Sequence, residues 1–149
     1  MKPRNAFYVM AGLLIVFAAL IWIYSRTKDN GDIPAYNATV NMECAPWDGA
    51  AFRISIPYKM GSVIGISIWQ TPDIKAPVDF SFPDQTGHVG DAVYQPQFVD
   101  AEQLSGTVTL QTVGREIPVE GRFNFTLAGG ESFNGKFKAQ WGNQIMLCG

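Results

Sequence analysis

The sequence predicts a single N-terminal transmembrane helix followed by an all-β domain, an antiparallel β-sandwich or small barrel of about seven or eight strands. Three observations support this prediction. Residues 6–24 contain no charge and no proline; apolar and polar residues alternate in short runs from residue 38 onward; and nothing after Tyr24 has the spacing of an amphipathic helix. Gly and Pro between the alternating runs are typical of the turns that connect short strands.

The run from Ala6 to Tyr24 is long enough to span a bilayer. A helix of this length measures about 28 Å, close to the roughly 30 Å hydrocarbon core of a membrane. Aromatic residues at both ends, such as Tyr8 and Trp22, suit the level of the headgroups. A cleaved signal peptide and a buried core helix are the alternatives. The run is longer than the apolar region of a signal peptide and no A-x-A pattern follows it, so an uncleaved signal anchor is predicted.

The orientation of this helix is less strongly determined by charge. Lys2 and Arg4 precede the run and Arg26 and Lys28 follow it, so the positive charges are nearly balanced. We expect residues 1–5 to be a short cytoplasmic leader, because so short a segment is an unusual export cargo and because the downstream domain contains a pair of cysteines. The expected location is therefore the cell (inner) membrane, with the C-terminal domain periplasmic or extracellular.

The remaining chain is predicted to form one domain after a short linker. Residues 25–36 are polar and lack periodicity, which favours a linker, and residues 37–149 suffice for one compact core. From Asp29 onward there are 7 basic and 13 acidic residues, a net charge of −6. An acidic domain argues against binding nucleic acid, and against docking on anionic headgroups through a basic face.

Alternating residues locate the strands. Residues 52–56 and 64–68 are predicted to form a hairpin around the short connection Tyr58–Gly61, where glycine suits a positive φ. The weakly patterned middle, residues 70–104, is too long for a structureless loop, so short strands are expected within it. The other predicted strands are residues 38–43, 78–82, 93–98, 107–111, 122–127, 133–141 and 144–148.

Cys44 and Cys148 are predicted to form a disulfide that joins the first strand of the domain to the last. Closing a loop of about 100 residues is worth roughly 4–5 kcal/mol in the chain-entropy model. The alternative is two buried free thiols in a reducing compartment. A metal site is not predicted, because the chain has 2 cysteines far apart and 1 histidine.

No catalytic constellation is evident, so an enzyme is not predicted, and neither is a cofactor. His88 lies in a Gly-rich stretch without a recognisable nucleophile motif and is interpreted as a loop residue. Asp79, Asp84 and Asp91 could be considered calcium ligands, yet their spacing matches no EF-hand loop. Solvated carboxylates are the simpler interpretation.

Small residues form a stripe on one face of the predicted membrane helix, which would let another helix approach closely. They are Ala11, Gly12, Ala18, Ala19 and Ser25. Two classes of function are therefore considered. The first is a non-enzymatic accessory or structural subunit, which contacts other membrane-protein subunits through its helix and its β-domain. The second is a membrane-anchored binding module for a carbohydrate, a peptide or another extracytoplasmic ligand.

Overall fold

The computed structural model describes residues 33–143 and 146–148. The predicted membrane helix, its small-residue stripe and residues 25–32 of the predicted linker lie outside these residues, and the last two linker residues, Ala35 and Tyr36, belong to the first strand instead. Within the described ranges, no helix has the length and apolar character needed to cross a membrane. Residues from Pro34 onward form one compact unit.

The described residues are all-β, as predicted, and contain no α-helix. They form nine strands and a one-turn 3-10 helix, Lys59–Gly61. The strands are β1 Ala35–Cys44, β2 Ala50–Pro57, β3 Val63–Ile68, β4 Val78–Phe82, β5 Gly90–Gln95, β6 Glu102–Gln103, β7 Ser105–Thr112, β8 Val119–Thr126 and β9 Ser132–Trp141. All belong to one sheet, curled into a half-barrel, in the order β4-β7-β8-β9-β1-β2-β3-β5-β6.

The pairing of β1 with β9 corrects the expectation of a purely antiparallel fold. These two strands run parallel, with Ala35 opposite Lys136 and Val40 opposite Trp141, whereas every other neighbouring pair described is antiparallel. Parallel neighbours cannot be joined by a tight turn and need a long connection. Here that connection is the rest of the domain, which places the first strand in the middle of the sheet.

The predicted hairpin is confirmed. β2 pairs with β3 across the Tyr58–Gly61 turn, and β7, β8 and β9 follow one another as antiparallel neighbours. Residues 78–82 form a strand as expected, but the strand predicted at 93–98 instead spans Gly90–Gln95. It ends there because Pro96 has no N–H to continue the ladder. The predicted last strand is not present over 146–148, the part of it that the structure describes.

The core lies on the concave face of the half-barrel. In strands such as β8 and β9 alternate residues are buried in it, which is the physical reason for the period-two pattern in the sequence, whereas β3 is buried along most of its length and both residues of β6 are exposed. Its largest fully buried side chains are aromatic and β-branched or leucine residues: Phe52, Phe125, Phe133, Ile54, Ile56, Ile64, Ile66, Ile68, Leu104, Leu110, Val40 and Val108. Removing this apolar surface from water stabilises the fold by about 25 cal/mol per Å².

The central strands have two ends, which we call the disulfide end and the entry end. The disulfide end is where β1 stops at Cys44, β2 begins opposite it, β3 stops at Ile68 and β5 begins. The entry end is where β1 begins at Ala35, β2 passes into β3 and β5 stops. The Lys136 N–H donates to the Pro34 carbonyl at 2.8 Å, so the chain enters the domain at the second of these ends.

Candidate functional site

The predicted disulfide is confirmed at one end of the sheet. Cys44 and Cys148 are bonded, with Cα atoms 5.6 Å apart and a sequence separation of 104. Cys44 is the last residue of β1, so the bond ties the carboxyl-terminal segment to the central strand. Structural disulfides form and persist in oxidising compartments.

An exposed aromatic cluster, consisting of Trp47, Trp69 and His88, lies at the disulfide end. The Trp47 ring packs edge-on against Trp69 at 5.5 Å between centroids and against His88 at 5.4 Å. Trp47 keeps 49% of its surface exposed, His88 is exposed and Trp69 is half-buried. Edge-to-face contact orders the rings relative to one another while leaving ring surface open to solvent.

Short loops fix the three rings in place. Trp47 lies in the turn from β1 to β2, where the Ala45 N–H donates to the Gly49 carbonyl at 2.7 Å and the Asp48 N–H donates to the Ala45 carbonyl at 2.9 Å. The Trp69 N–H donates to the Val89 carbonyl at 2.9 Å, which joins the end of β3 to the loop that carries His88. Backbone hydrogen bonds therefore hold both the turn that carries Trp47 and the loop that carries His88.

Asp84 organises the loop before β5. Its carboxylate accepts hydrogen bonds from the Thr86 hydroxyl and from the backbone N–H groups of Thr86, His88 and Val89. The Thr86 hydroxyl, followed by these N–H groups, holds the pKa of Asp84 well below its usual range. A carboxylate that accepts several hydrogen bonds is stabilised in its charged form. Asp84 thus holds its own loop together through these hydrogen bonds.

The three aspartates considered as calcium ligands do not form a site. Asp79 lies on β4 and Asp91 on β5, while Asp84 is committed to its loop. Among the residues that the structure describes, no group of three or more His, Cys, Asp or Glu side chains is placed to hold a metal ion.

The neighbouring turn between β7 and β8 is also held in place. The Trp141 indole N–H donates to the carbonyls of Gly114 and Ile117, each at 2.9 Å. Arg115 pairs with Asp73 at 3.2 Å, although both side chains are mostly exposed, so this pair contributes little stability. Ile117 in this turn is exposed. Met146 and Leu147, which precede Cys148 in the sequence, are also exposed.

The chemistry that this end offers is recognition through rings and apolar side chains. Exposed tryptophan held in a preformed position is a common anchor in protein interfaces, because it has large area and little conformational entropy to lose. Within the described part of the chain, the His88 ring contacts Trp47 and its backbone N–H donates to Asp84.

A second feature is a groove of about 450 Å³ on the outer face of β1, β8 and β9. Lys138 pairs there with Glu120 at 2.7 Å. Lys136 lies directly opposite Arg122 on the neighbouring strand, and neither takes part in an ion pair among the described residues. Like charges directly opposite each other destabilise a strand pair. Lys136 and Arg122 together form a local cationic surface on an acidic domain. Beside it, burial and the adjacent Tyr58 raise the pKa of Tyr36.

Sequence reasoning located the disulfide but missed the aromatic cluster. His88 was correctly placed in an exposed loop, yet its contact with Trp47 was not anticipated, because the two residues belong to different connections. One signal was available: the stretch Pro46-Trp47-Asp48-Gly49 has the composition of a turn, and a tryptophan in a turn is exposed unless something covers it. The predicted helix-packing residues, Ala11, Gly12, Ala18, Ala19 and Ser25, lie outside the described residues.

Comparison with family models, with curated proteins and with solved structures yields no match to this chain.

Proposed function

We propose that this protein is a non-enzymatic accessory subunit of a larger membrane complex. One N-terminal helix anchors it, and its β-domain lies on the extracytoplasmic face. The disulfide supports an oxidising compartment for the domain. The uncharged run of residues 6–24 supports the anchor.

The observation that carries this proposal is the preformed aromatic cluster at the disulfide end. Trp47 is half-exposed although it packs against Trp69 and His88, and Leu147 in the neighbouring segment is 89% exposed. Apolar side chains on ordered backbone are suited to a protein partner, because binding them loses little entropy. The cluster lies at the opposite end of the central strands from Pro34, where the chain enters the domain.

Purification of the full-length protein in mild detergent tests this proposal. A subunit brings defined partners in fixed stoichiometry, and Trp47→Ala loses those that contact the domain. Phe98→Ala is the matched control, because it removes an exposed aromatic ring of the opposite end. If the parent protein purifies alone, or if Trp47→Ala retains every partner, the cluster is not the contact surface.

The predicted stripe on the helix is tested separately. Gly12→Leu combined with Ala19→Leu keeps the segment apolar and therefore inserted, but it adds bulk where close helix packing is expected. The variant should reach the membrane at normal level and lose partners held through the helix. Leu13→Ile combined with Leu20→Ile is the control, since it changes shape without adding volume. Equal recovery of partners by both double variants contradicts a packing role.

The alternative function is a membrane-anchored binding module, and the outer-face groove supports it. Arg122 and Lys136 would contribute positive charge to an anionic ligand there. Thermal-shift measurements on the full-length protein with sulfated oligosaccharides and acidic peptides test this alternative. A stabilising ligand should lose its effect in Arg122→Gln with Lys136→Gln, and keep it in Lys75→Gln, which removes an exposed cation elsewhere.

A further inference from the structure

The entry end carries large apolar side chains that nothing in the domain covers. Met60 at the tip of the β2–β3 turn is 94% exposed, Phe98 in the loop after β5 is 95% exposed, and its neighbour Val99 is 60% exposed. We call these three residues the apolar tips. Single exposed apolar residues are ordinary on protein surfaces, but two almost fully exposed large side chains on neighbouring loops require an explanation.

The two loops are adjacent. A Cβ atom placed on Gly61 would lie 3.2 Å from the side-chain oxygen of Gln97, so the β2–β3 turn touches the loop that carries Phe98. The Tyr58 N–H donates to the Ser62 carbonyl at 2.8 Å and the Ser62 hydroxyl donates to the Lys59 carbonyl at 2.6 Å, which closes the turn.

Aromatic rings support these loops from below. Tyr58 packs edge-on against Phe133 at 5.3 Å between centroids, and Tyr94 packs against the same ring at 4.8 Å. Phe133 is fully buried. The bases of both loops are therefore part of the core, while their tips project beyond it.

The backbone at the tips is unusual for the residues it carries. Met60 has φ of 55° and Phe98 has φ of 67°, in the left-handed region that glycine or asparagine occupies most easily. Each side chain is held in a strained position that gains it no contact with the core. Strain that persists at exposed positions is a sign of function at those positions.

The chain enters the domain at this same end. β1 begins at Ala35, and Pro34 is already hydrogen-bonded to Lys136. The predicted membrane helix ends at Tyr24, and the ten residues between it and Ala35 can span at most about 33–36 Å when fully extended. The end of the sheet that carries the apolar tips is therefore the end of the domain nearest, along the chain, to the predicted helix.

The charges around the tips indicate how they would meet a bilayer. Lys59 lies over the Tyr58 ring, with its Nζ 5.6 Å from the ring centroid. Asp100 and Glu102 follow Val99 in the same loop, so the local charge is mixed. Contact with lipid would therefore depend on apolar insertion more than on attraction to anionic headgroups, and should occur on zwitterionic lipid as well.

We propose that the apolar tips insert into the interfacial layer of the membrane that the helix spans. The domain then rests on the bilayer by its entry end and directs the aromatic cluster away from it. This inference depends on the membrane anchor of the proposed function. It adds the orientation of the domain and the residues that fix it.

Depth-dependent fluorescence quenching on the full-length protein tests the inference. Phe98→Cys is labelled with an environment-sensitive nitrobenzoxadiazole dye and reconstituted into phosphatidylcholine vesicles that carry nitroxides at defined depths. Ile117→Cys, labelled in the same way, is the matched control on an exposed turn near the other end. The probe at position 98 should show blue-shifted emission and strong quenching by shallow acyl-chain nitroxides, whereas the probe at 117 should report water.

The outcomes separate the inference from the anchor. If the protein resists alkaline extraction but the probe at 98 reports water, the inference is wrong and the anchor stands. If alkali extracts the protein, both are wrong. A probe at 98 that is shielded from water but not quenched by nitroxide lipids would identify a second copy of the chain as the cover, and would also overturn the inference.

A second variant removes the apolar character without a reporter. Met60→Asn combined with Phe98→Asn suits the left-handed backbone, because asparagine tolerates it better than methionine or phenylalanine, and it adds no charge beside the Lys59 cleavage site. In vesicles, Lys59 should be protected from trypsin in the parent and cleaved several-fold faster in this variant, with unchanged melting of the domain. Ile117→Asn should leave the cleavage rate at Lys59 unchanged. Equal rates in all three proteins would contradict insertion.

Discussion

The two ends of the sheet expose apolar side chains in different ways. At the disulfide end, Trp47 is partly covered by its neighbours, on loops closed by backbone hydrogen bonds and beside a covalent link. At the entry end, Met60 and Phe98 project alone from turns whose bases are buried. A shaped, ordered surface suits a partner with its own fixed shape, whereas isolated prongs suit a fluid medium that adapts to them. The difference suggests two separate contacts rather than one.

Removing the disulfide should produce the largest loss of stability, and in the folded protein it should change the structure at the disulfide end only. Cys44→Ala with Cys148→Ala is expected to lower the free energy of unfolding by about 4–5 kcal/mol, because the unfolded chain regains the freedom of a loop of 104 residues. Urea titration of the full-length protein in detergent, followed by circular dichroism, measures this loss.

The same variant tests whether the two ends of the sheet are independent. If they are, the tryptophan emission of the protein should change while a dye at position 98 keeps its environment. Reduction of the parent protein by dithiothreitol should reproduce the effect of the double substitution. A parent that is equally stable oxidised and reduced contradicts the prediction.

Two substitutions at the entry end separate the tips from their support. Phe133→Ala should destabilise the domain by about 3–5 kcal/mol, because it leaves a cavity beneath Tyr58 and Tyr94. Phe98→Ala should change stability by no more than about 0.5 kcal/mol, since its ring is 95% exposed. Thermal melts of the two variants test this contrast. Similar losses in both would mean that Phe98 is packed, and the distinction between tip and base would be wrong.

Gly90→Ala tests whether the close approach of β5 to β3 positions the aromatic cluster. Gly90 has φ of 155°, and a Cβ there would collide with the Ser67 carbonyl of the adjacent strand. The backbone strain alone is worth about 1–3 kcal/mol. Displacement of β5 should also shift the loop that carries His88, which near-UV circular dichroism of the tryptophans would detect. Gly129→Ala is the control, because a Cβ there meets no atom within 4 Å; equal stability of the two variants would contradict the close approach.

The smallest expected effect is the pH dependence of the Asp84 loop. The pKa of Asp84 is depressed in the folded state, so the unfolded state binds the proton more readily. The stabilisation is therefore fully present above the ordinary value of 3.8 and is lost as the pH falls below it. Asp84→Asn should lower the urea midpoint slightly at pH 7, and the difference from the parent should shrink below pH 3.8. A difference that is constant with pH would exclude the carboxylate as its cause.

Much of the fold could be predicted because a half-buried strand leaves a period-two pattern. The hairpin of β2 and β3 and the meander of β7, β8 and β9 follow from that pattern and from the glycine turns between them. The parallel pairing of β1 with β9 could not be predicted in this way, because alternation shows which face of a strand is buried and not which strand lies beside it.

The functional surfaces were harder to predict, since they combine residues from separate loops. Trp47, Trp69 and His88 meet only because β1 ends and β5 begins at the same end of the sheet. Phe98 was included in a predicted strand because residues 70–104 are too long for a structureless loop, and Pro96 was the signal that the strand ends before it. The cationic pair Lys136 and Arg122 is hidden in the sequence by the net acidity of the domain.

The central position of β1 determines how the domain would bear a mechanical load. A force applied to the chain before the domain would reach it at Pro34 and act along β1, which is hydrogen-bonded on one side to β2 and on the other to β9. Both ladders would have to shear together, because neither edge of the strand is free to unzip. The disulfide at Cys44 then stops the far end of the strand from sliding out. The first strand is thus hydrogen-bonded on both sides and covalently held at its end, so the domain should resist unfolding by a force applied at Pro34.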